Sequence, residues 1–203
     1  MNNTVCFREF EERDIEFIYK CKNDEELNRM IVGQFKPFTY EDAEKWVHGC
    51  MGEHDTFIFW AVCTNDENRR IVGWVSLSEI DQNNHSACHH GIVIGDKEYR
   101  DGTAMFEAML FSMKYAFEEL KIHRLYGSCL SEHKVSPHML DALEFKLEGI
   151  QRDALFKNER YYDVLNYAML ENEYNNLKNN CVFEVDKLIM AFVASLRRAK
   201  KSI

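Results

Sequence analysis

The feature that most constrains this sequence is a change of hydrophobic period near its middle. Residues 57–63 and 71–79 are rich in β-branched and aromatic residues, as strands are, and residues 86–94 are predicted to form a further strand. From about Thr103 to Leu120 the period becomes 3.6, which predicts an amphipathic helix. Its apolar face carries Met105, Met109, Met113 and Phe117, with Leu110 and Ala116 beside them. Such a helix needs a sheet beneath it, so this region predicts strands covered by a helix.

The remaining sequence extends this region into an α/β or α+β domain with the order βααβββαβαββ. Strands are predicted at residues 4–10, 57–63, 71–79, 86–94, 123–130, 146–153 and 160–170. Helices are predicted at 12–28, from a capping box at 39–42, at 103–120 and from Pro137 to Leu143. Short polar turns join the second, third and fourth strands, which indicates a three-stranded antiparallel meander.

The C-terminal region differs in character from this domain. Asparagines at 172, 175, 176, 179 and 180 predict a polar linker, and the apolar stripe from Val182 to Leu196 predicts a helix before the basic residues 197–201. We therefore divide the chain into a domain at 1–174 and a linker with a helix at 175–203. The helix either docks on the domain, forms a homodimer contact or lies on a membrane surface, and its acidic residues disfavour the last.

Composition narrows the class of protein. The net charge of -9 argues against broad nucleic-acid binding, because a surface that follows phosphates needs excess Lys and Arg. No apolar run reaches the length of a signal peptide core or of a membrane span. Seven scattered cysteines fit reduced thiols better than a disulfide framework. We expect a cytoplasmic protein that binds neither nucleic acid nor a membrane.

Several segments, in order, resemble the acetyl-CoA-binding half of the GNAT superfamily of N-acetyltransferases, and most closely its ribosomal-protein-alanine acetyltransferase branch. They are residues 94–100, 107–108, 115–125, 136–149, 152–157 and 160–165. The resemblance covers about residues 4–174. It implies a mixed, mostly antiparallel central sheet flanked by helices, to which this chain adds a C-terminal helix.

The resemblance also implies an activity. It predicts an enzyme that moves acetyl from acetyl-CoA to a primary amine by direct attack in a ternary complex. The acceptor is either a small amine, such as an amino sugar or antibiotic, or a protein N-terminus. A protein that only binds acyl-CoA or a partner, through a degenerate site, is the alternative.

The family's phosphate-binding motif, Q/R-x-x-G-x-G/A, is altered here. Arg100 takes the first position, but Thr103 and Met105 stand where small residues are usual, and a one-residue slip offers Gly102-x-Ala104. Asp101 adds a negative charge beside the expected pyrophosphate. The resemblance places CoA on Ile92, Val93, Ile94, Arg100, Asp101, Gly102, Thr103, Ala104, His133 and Ser136.

Catalysis needs a neutral amine and a proton donor for the departing thiolate. An amine of pKa about 10.4 is neutral only about once in 2,500 molecules at pH 7, so a base is useful. The base is predicted to be His89 or Glu79, and strand alternation puts His89 and His90 on opposite faces. Leu140 occupies the family's usual tyrosine position, and Ser136 or His133 is predicted to replace that acid. Carbonyl polarisation is implied for a backbone N–H near Val93.

Two groups of histidines and cysteines raise the alternative of a metal site. They are His85, Cys88, His89 and His90, and His48, Cys50 and His54. Neighbouring strand residues point apart and neither group has the C-x₂-C spacing, so no metal is predicted.

The acceptor pocket is expected at the loop between the first two helices. The residues expected there are Arg29, Met30, Phe35 and Trp46.

Overall fold

The computed structural model describes residues 3–29, 31, 35–52 and 54–201, with side chains through 199. Within these residues, seven strands form one sheet in the order β1-β2-β3-β4-β5-β7-β6. The strands are β1 Val5–Arg8, β2 Ile58–Thr64, β3 Ile71–Asp81, β4 Ser86–Ile94, β5 Arg124–Leu130, β6 Lys146–Lys157 and β7 Arg160–Leu170. The helices are α1 Ile15–Asn23, α2 Glu25–Asn28, α3 Tyr40–Cys50, α4 Thr103–Lys114, α5 Ser136–Ala142, α6 Glu171–Asn179 and α7 Val185–Lys201.

The sheet is mixed and mostly antiparallel, which confirms the predicted fold class. β2, β3 and β4 form the expected meander, and β5 pairs with β7 in the antiparallel sense. β4 and β5 are parallel, because α4 carries the chain back across the sheet between them. No helix in the described chain is long and apolar enough to cross a bilayer.

Helices cover both faces of the sheet. On one face, the α4 residues Phe106, Met109 and Met113 are fully buried in the same cluster as Val75 and Leu77 of β3. On the other face, α1 and α3 pack over β2 and β3 around a second buried cluster. That cluster includes Phe10, Ile18, Val47, Ala61 and Trp74. Strand alternation produces both cores, because successive residues face opposite sides.

The largest differences from the predicted element boundaries concern two helices and one strand. The predicted helix at 12–28 is divided, because Asp24 adopts an extended conformation and its carboxylate accepts a hydrogen bond from Leu27 N as the cap of α2. The predicted helix at 103–120 ends its α-helical part at Lys114 and continues as a π-helical turn through Glu119. The sixth strand extends beyond residue 153 to Lys157.

The asparagine-rich segment is helical rather than a linker. It forms α6, whose Tyr174 is buried, stacks on Phe117 with ring centroids 4.6 Å apart and donates to Glu118 at 2.6 Å. Lys178 pairs with the same carboxylate. These contacts outweigh the poor helix propensity of asparagine.

Helix α7 packs against α4 and α5, as in the docked alternative. Leu188 is fully buried, and Phe192 meets Phe106 edge to face at 5.8 Å. His138 of α5 hydrogen-bonds the Ser195 hydroxyl at 2.8 Å. The homodimer contact stays a prediction.

Candidate active site

The central feature of the site is a gap between β4 and β5. The two strands pair only from Ser86 to Cys88 and from Arg124 to Tyr126. A register shift then disturbs the β3–β4 ladder, and Gly91 adopts a φ of 130°. Beyond Cys88, β4 continues on β3 while β5 continues on β7. The two strands therefore separate towards their carboxyl ends and leave backbone groups without a strand partner.

The gap-facing groups of β4 follow from the antiparallel ladder. Gly95 N donates to Val72 O at 2.9 Å, and such ladders alternate between paired and outward-facing residues. Ile92 and Ile94 therefore turn their amides towards the gap, whereas Val93 faces β3. Arg100 Nε donates to Ile94 O at 2.9 Å, which agrees with this direction. The polarising N–H near Val93 stays a prediction, and the amides of Ile92 and Ile94 are the gap-facing candidates for it.

The turn into α4 lies next to the end of β4, at the open end of the gap. Gly102 is the N-cap residue with a φ of 104°, a conformation that residues other than glycine rarely adopt. The Arg100 guanidinium binds Gly95 O at 2.7 Å as well as Ile94 O, so it ties the turn to the end of β4. The helix amides beyond this turn point outward, which is the usual geometry of an anion site.

Asp101 occupies part of this turn. Its Oδ1 accepts from Thr103 N at 2.8 Å. One of the amides expected to meet pyrophosphate is therefore already engaged, and by a negatively charged group. The turn has the backbone shape of a phosphate site, but the Thr103 N–H is not free to donate to a phosphate.

His89 lies on the α4 side of the sheet. Its Nε2 is 3.0 Å from Ser112 Oγ, and Ser112 donates to Met109 O at 2.9 Å. Because the serine proton is used, Nε2 carries the histidine proton. Burial is the main cause that lowers the pKa of His89 to about 4, with a smaller contribution from His90, which is exposed. His89 is therefore neutral at pH 7 and held against α4.

This environment predicts an acid-sensitive stability. Between pH 6.5 and 4 the unfolded chain binds a proton at residue 89 that the folded chain excludes, so stability falls as pH falls through this window. The expected contribution is about 3 kcal/mol. Urea unfolding at several pH values measures this effect. The fall in the free energy of unfolding between pH 6.5 and 4 should be smaller by this amount in His89→Gln, whereas His90→Gln should keep the full fall. An equal acid dependence in both variants would contradict the prediction.

Glu79 lies on the opposite side of the sheet. It is exposed near the end of β3, and its Oε2 accepts from the Tyr126 hydroxyl at 2.8 Å. Both residues line an open cleft of about 580 Å³. Asp55 and Asp81 also line it, so the cleft is acidic. Sequence reasoning missed Tyr126. The strand period predicts which face of β5 it occupies, but not that it meets Glu79 across the sheet.

The start of α5 is organised by His133. Its Nδ1 accepts from Val135 N at 3.1 Å and from Ser136 N at 2.9 Å, so it acts as a helix cap. Burial lowers the pKa of His133, which keeps it neutral with its proton on Nε2. Leu140, at the family's tyrosine position, is buried in the core. The two predicted replacements for the tyrosine thus lie together at one helix end.

The predicted acceptor loop is only partly described. Met30 lies outside the described residues. Trp46 packs on Trp74 at 5.7 Å, with the Lys22 ammonium 4.6 Å above it, and Phe35 is exposed. Across the described ranges, no three His, Cys, Asp or Glu side chains are grouped so that they could hold a metal ion.

This architecture, with two parallel strands separating beside a glycine turn and a helix start, defines a class of acyl-CoA-dependent transferase fold. A family model described as an acetyltransferase (GNAT) domain matches residues 4–146. The chain belongs to the GNAT acetyltransferases, as its sequence suggested, and is an acyltransferase. Members of this family use acetyl-CoA.

Relatives and solved structures agree with this assignment. The chain is 27% identical over 171 residues to the uncharacterised N-acetyltransferase YnaD of Bacillus subtilis, covering 84% of this chain and 96% of that protein. It is 29% identical over 97 residues to the [ribosomal protein uS5]-alanine N-acetyltransferase of Escherichia coli, covering 48% of this chain and 50% of that one. The match to that branch is therefore limited to half of each protein.

Two crystal structures share the fold. An acetyltransferase of the GNAT family from Bacillus anthracis superposes with a TM-score of 0.72 at 25% identity, covering 85% of this chain and 98% of that one. The spermidine N-acetyltransferase of Vibrio cholerae, in complex with CoA and spermine, superposes with a TM-score of 0.75 at 23% identity, covering 86% and 100%.

Proposed function

We propose that this chain transfers acetyl from acetyl-CoA to a primary amine of a small cationic acceptor by direct attack in a ternary complex. The observation that carries the proposal is the β4–β5 gap, which opens onto the Gly102 turn. The gap-facing backbone of 92–94, the turn at 100–104 and the α5 start at His133 and Ser136 are the groups proposed to hold CoA. They offer amides, a glycine turn and neutral donors, which fits a pantetheine and a pyrophosphate.

Acetyl-CoA supplies an activated thioester, and the protein positions the reactants and transfers protons. The amine nitrogen attacks the thioester carbon, the carbon–sulfur bond breaks and the thiolate leaves. Glu79 is the better candidate for the proton acceptor because it is exposed in the cleft, whereas His89 is bonded to Ser112 on the other face. Such a base contributes about 10²–10⁴-fold. Ser136 and His133 remain the candidates that return a proton to sulfur.

The cleft favours a cationic acceptor over a neutral one. Asp55, Glu79 and Asp81 line it, and the whole chain carries a net charge of -9. The V. cholerae neighbour is named for spermidine and contains spermine, a polycation. A polyamine or an amino sugar fits this charge, while the partial match to a ribosomal-protein acetyltransferase keeps a protein N-terminus as the competing acceptor.

Two assays test the proposal. A thermal-shift titration with CoA tests binding, and release of the CoA thiol from acetyl-CoA in the presence of a panel of amines tests turnover. The panel contains a polyamine, an aminoglycoside and a peptide with an N-terminal alanine. We expect stabilisation that rises with CoA concentration, and thiol release that is fastest with the polyamine or the aminoglycoside. An absence of any shift at millimolar CoA would exclude the cofactor assignment.

A non-catalytic acyl-CoA-binding protein is the second candidate. The observations that favour it are the Asp101 carboxylate on the phosphate turn and the buried leucine at position 140. CoA binding without thiol release on any amine would support this candidate.

Asp101→Asn is expected to tighten CoA binding by about fivefold. The substitution keeps an oxygen that can accept from Thr103 N but removes a charge beside the pyrophosphate, an effect on the order of 1 kcal/mol at the surface. Isothermal titration with CoA measures it. Asp66→Asn is the matched control, because Asp66 makes the same type of turn bond to Asn68 N in the β2–β3 turn. Equal or weaker CoA binding by Asp101→Asn would show that this turn does not hold pyrophosphate.

A further inference from the structure

We propose that Tyr126 is the positioning residue for Glu79: its hydroxyl fixes one carboxylate oxygen at the base of the β4–β5 gap so that the other meets the acceptor amine. This inference rests on the proposed function and names a residue that the family motifs do not include. It follows from strand register, from the backbone of Glu79 and from one hydrogen bond.

Strand register brings the pair together. Cys88 of β4 is paired with Ser78 of β3 on one side and with Tyr126 of β5 on the other. The three residues therefore lie side by side on one face, in adjacent strands. Cys88 and Tyr126 form the last paired position before the gap opens. Glu79 follows Ser78 directly and reaches across the face of β4 to Tyr126.

The backbone at Glu79 is unusual. Its φ is 50°, in the left-handed region that non-glycine residues rarely adopt, and the β3–β4 register shifts between Ser78 and Asp81. This irregularity redirects the side chain that a regular strand would present elsewhere. An outlier of this kind next to a cleft is typical of functional sites.

The hydrogen bond has the chemistry of a positioning contact. The tyrosine hydroxyl donates to Oε2 of Glu79 at 2.8 Å, and the structure shows no Lys, Arg or His ion-paired with this carboxylate among the described residues. Burial, followed by the bond to Glu79, raises the pKa of Tyr126 to about 12. The phenol therefore stays protonated at neutral pH and keeps donating. Oε1 is left to accept the proton of a bound amine.

The contact also bridges β3 and β5 across the end of the gap. Tyr126 is half-buried and Glu79 is exposed, so the pair borders both the strand gap and the acidic cleft. An amine that enters from the cleft would meet the carboxylate at the closed end of the gap. The position of the pair is what a proton acceptor for the attacking nitrogen requires.

A double-mutant cycle tests the inference. Glu79→Gln should lower kcat/KM for the amine by about 100-fold. Tyr126→Phe keeps the ring and removes the hydroxyl; it should lower kcat/KM for the amine by about tenfold and leave CoA affinity unchanged. If Tyr126 acts through Glu79, the kcat/KM of the double variant should equal that of Glu79→Gln within about twofold. Tyr161→Phe, which alters an exposed tyrosine on β7, is the control and should match the unaltered protein.

The outcomes separate the two proposals. A tenfold further loss when Tyr126→Phe is added to Glu79→Gln would overturn the positioning role, because the hydroxyl would then act independently. Unchanged turnover in Tyr126→Phe would overturn it as well. A loss of CoA affinity in Tyr126→Phe would indicate a merely structural role. An unaltered protein that releases no thiol with any amine would instead refute the proposed function, and this inference with it.

Discussion

Asp14→Ala is expected to lower the free energy of unfolding by about 3–5 kcal/mol. Asp14 is 1% exposed, and its two carboxylate oxygens accept from the two terminal guanidinium nitrogens of Arg8 at 2.7 and 2.8 Å. The carboxylate also accepts from Glu11 N at 2.9 Å, which caps the 3₁₀ turn before α1. Removing it leaves the Arg8 side chain, itself 7% exposed, without its main counter-ion.

Urea unfolding of the variant measures this effect. Glu16→Ala is the matched control, because Glu16 pairs with Lys20 at 2.9 Å on the exposed face of α1. Exposed pairs of this type contribute only about 0.3–0.5 kcal/mol. Two variants with equal, small losses would show that the Arg8–Asp14 pair is no more important than a surface pair.

Gly102→Asp is expected to weaken CoA binding by at least about 30-fold, close to 2 kcal/mol. A residue with a side chain at a φ of 104° strains the turn, and a second carboxylate beside Asp101 repels the pyrophosphate. An added Cβ meets no atom within 4 Å, so the effect does not come from a clash in the free protein. Titration of CoA by calorimetry measures the affinity.

Two controls separate the causes in this second prediction. Gly102→Ala has the backbone strain without the added charge, so its loss of CoA affinity should be smaller. Gly52→Asp introduces the same residue at another positive φ, 83°, also in open space, and should leave CoA affinity unchanged. Equal affinity in Gly102→Asp and the unaltered protein would mean that the phosphate turn lies elsewhere.

The elements with a strong hydrophobic period were predictable from sequence. The meander of β2, β3 and β4 and the helix α4 appear where alternation and the 3.6 period placed them. Element boundaries that depend on a single polar side chain were not predictable from sequence, as the break at Asp24 shows. Helix α6 was also missed, because asparagine disfavours helices locally and only the packing of Tyr174 on Phe117 stabilises this one.

The candidate site was predictable to a smaller extent. The motif resemblance located the turn at 100–104 and the start of α5, since both are local in sequence. It did not reveal that Asp101 engages Thr103 N, or that His133 caps the helix that it precedes. Strand alternation separated His89 from His90 but did not show which face borders the cleft, so it left the choice between His89 and Glu79 open.

The sequence by itself determined the family, the order of the strands along the chain and the glycine at the turn, because these depend on local patterns and on spacing along the chain. Only the tertiary structure decided which residues meet. Glu79 and Tyr126 are 47 residues apart and are joined by the register of three strands. Register depends on pairing between distant segments, and a bulge such as the one at Glu79 shifts it by a residue, so no local pattern specifies it.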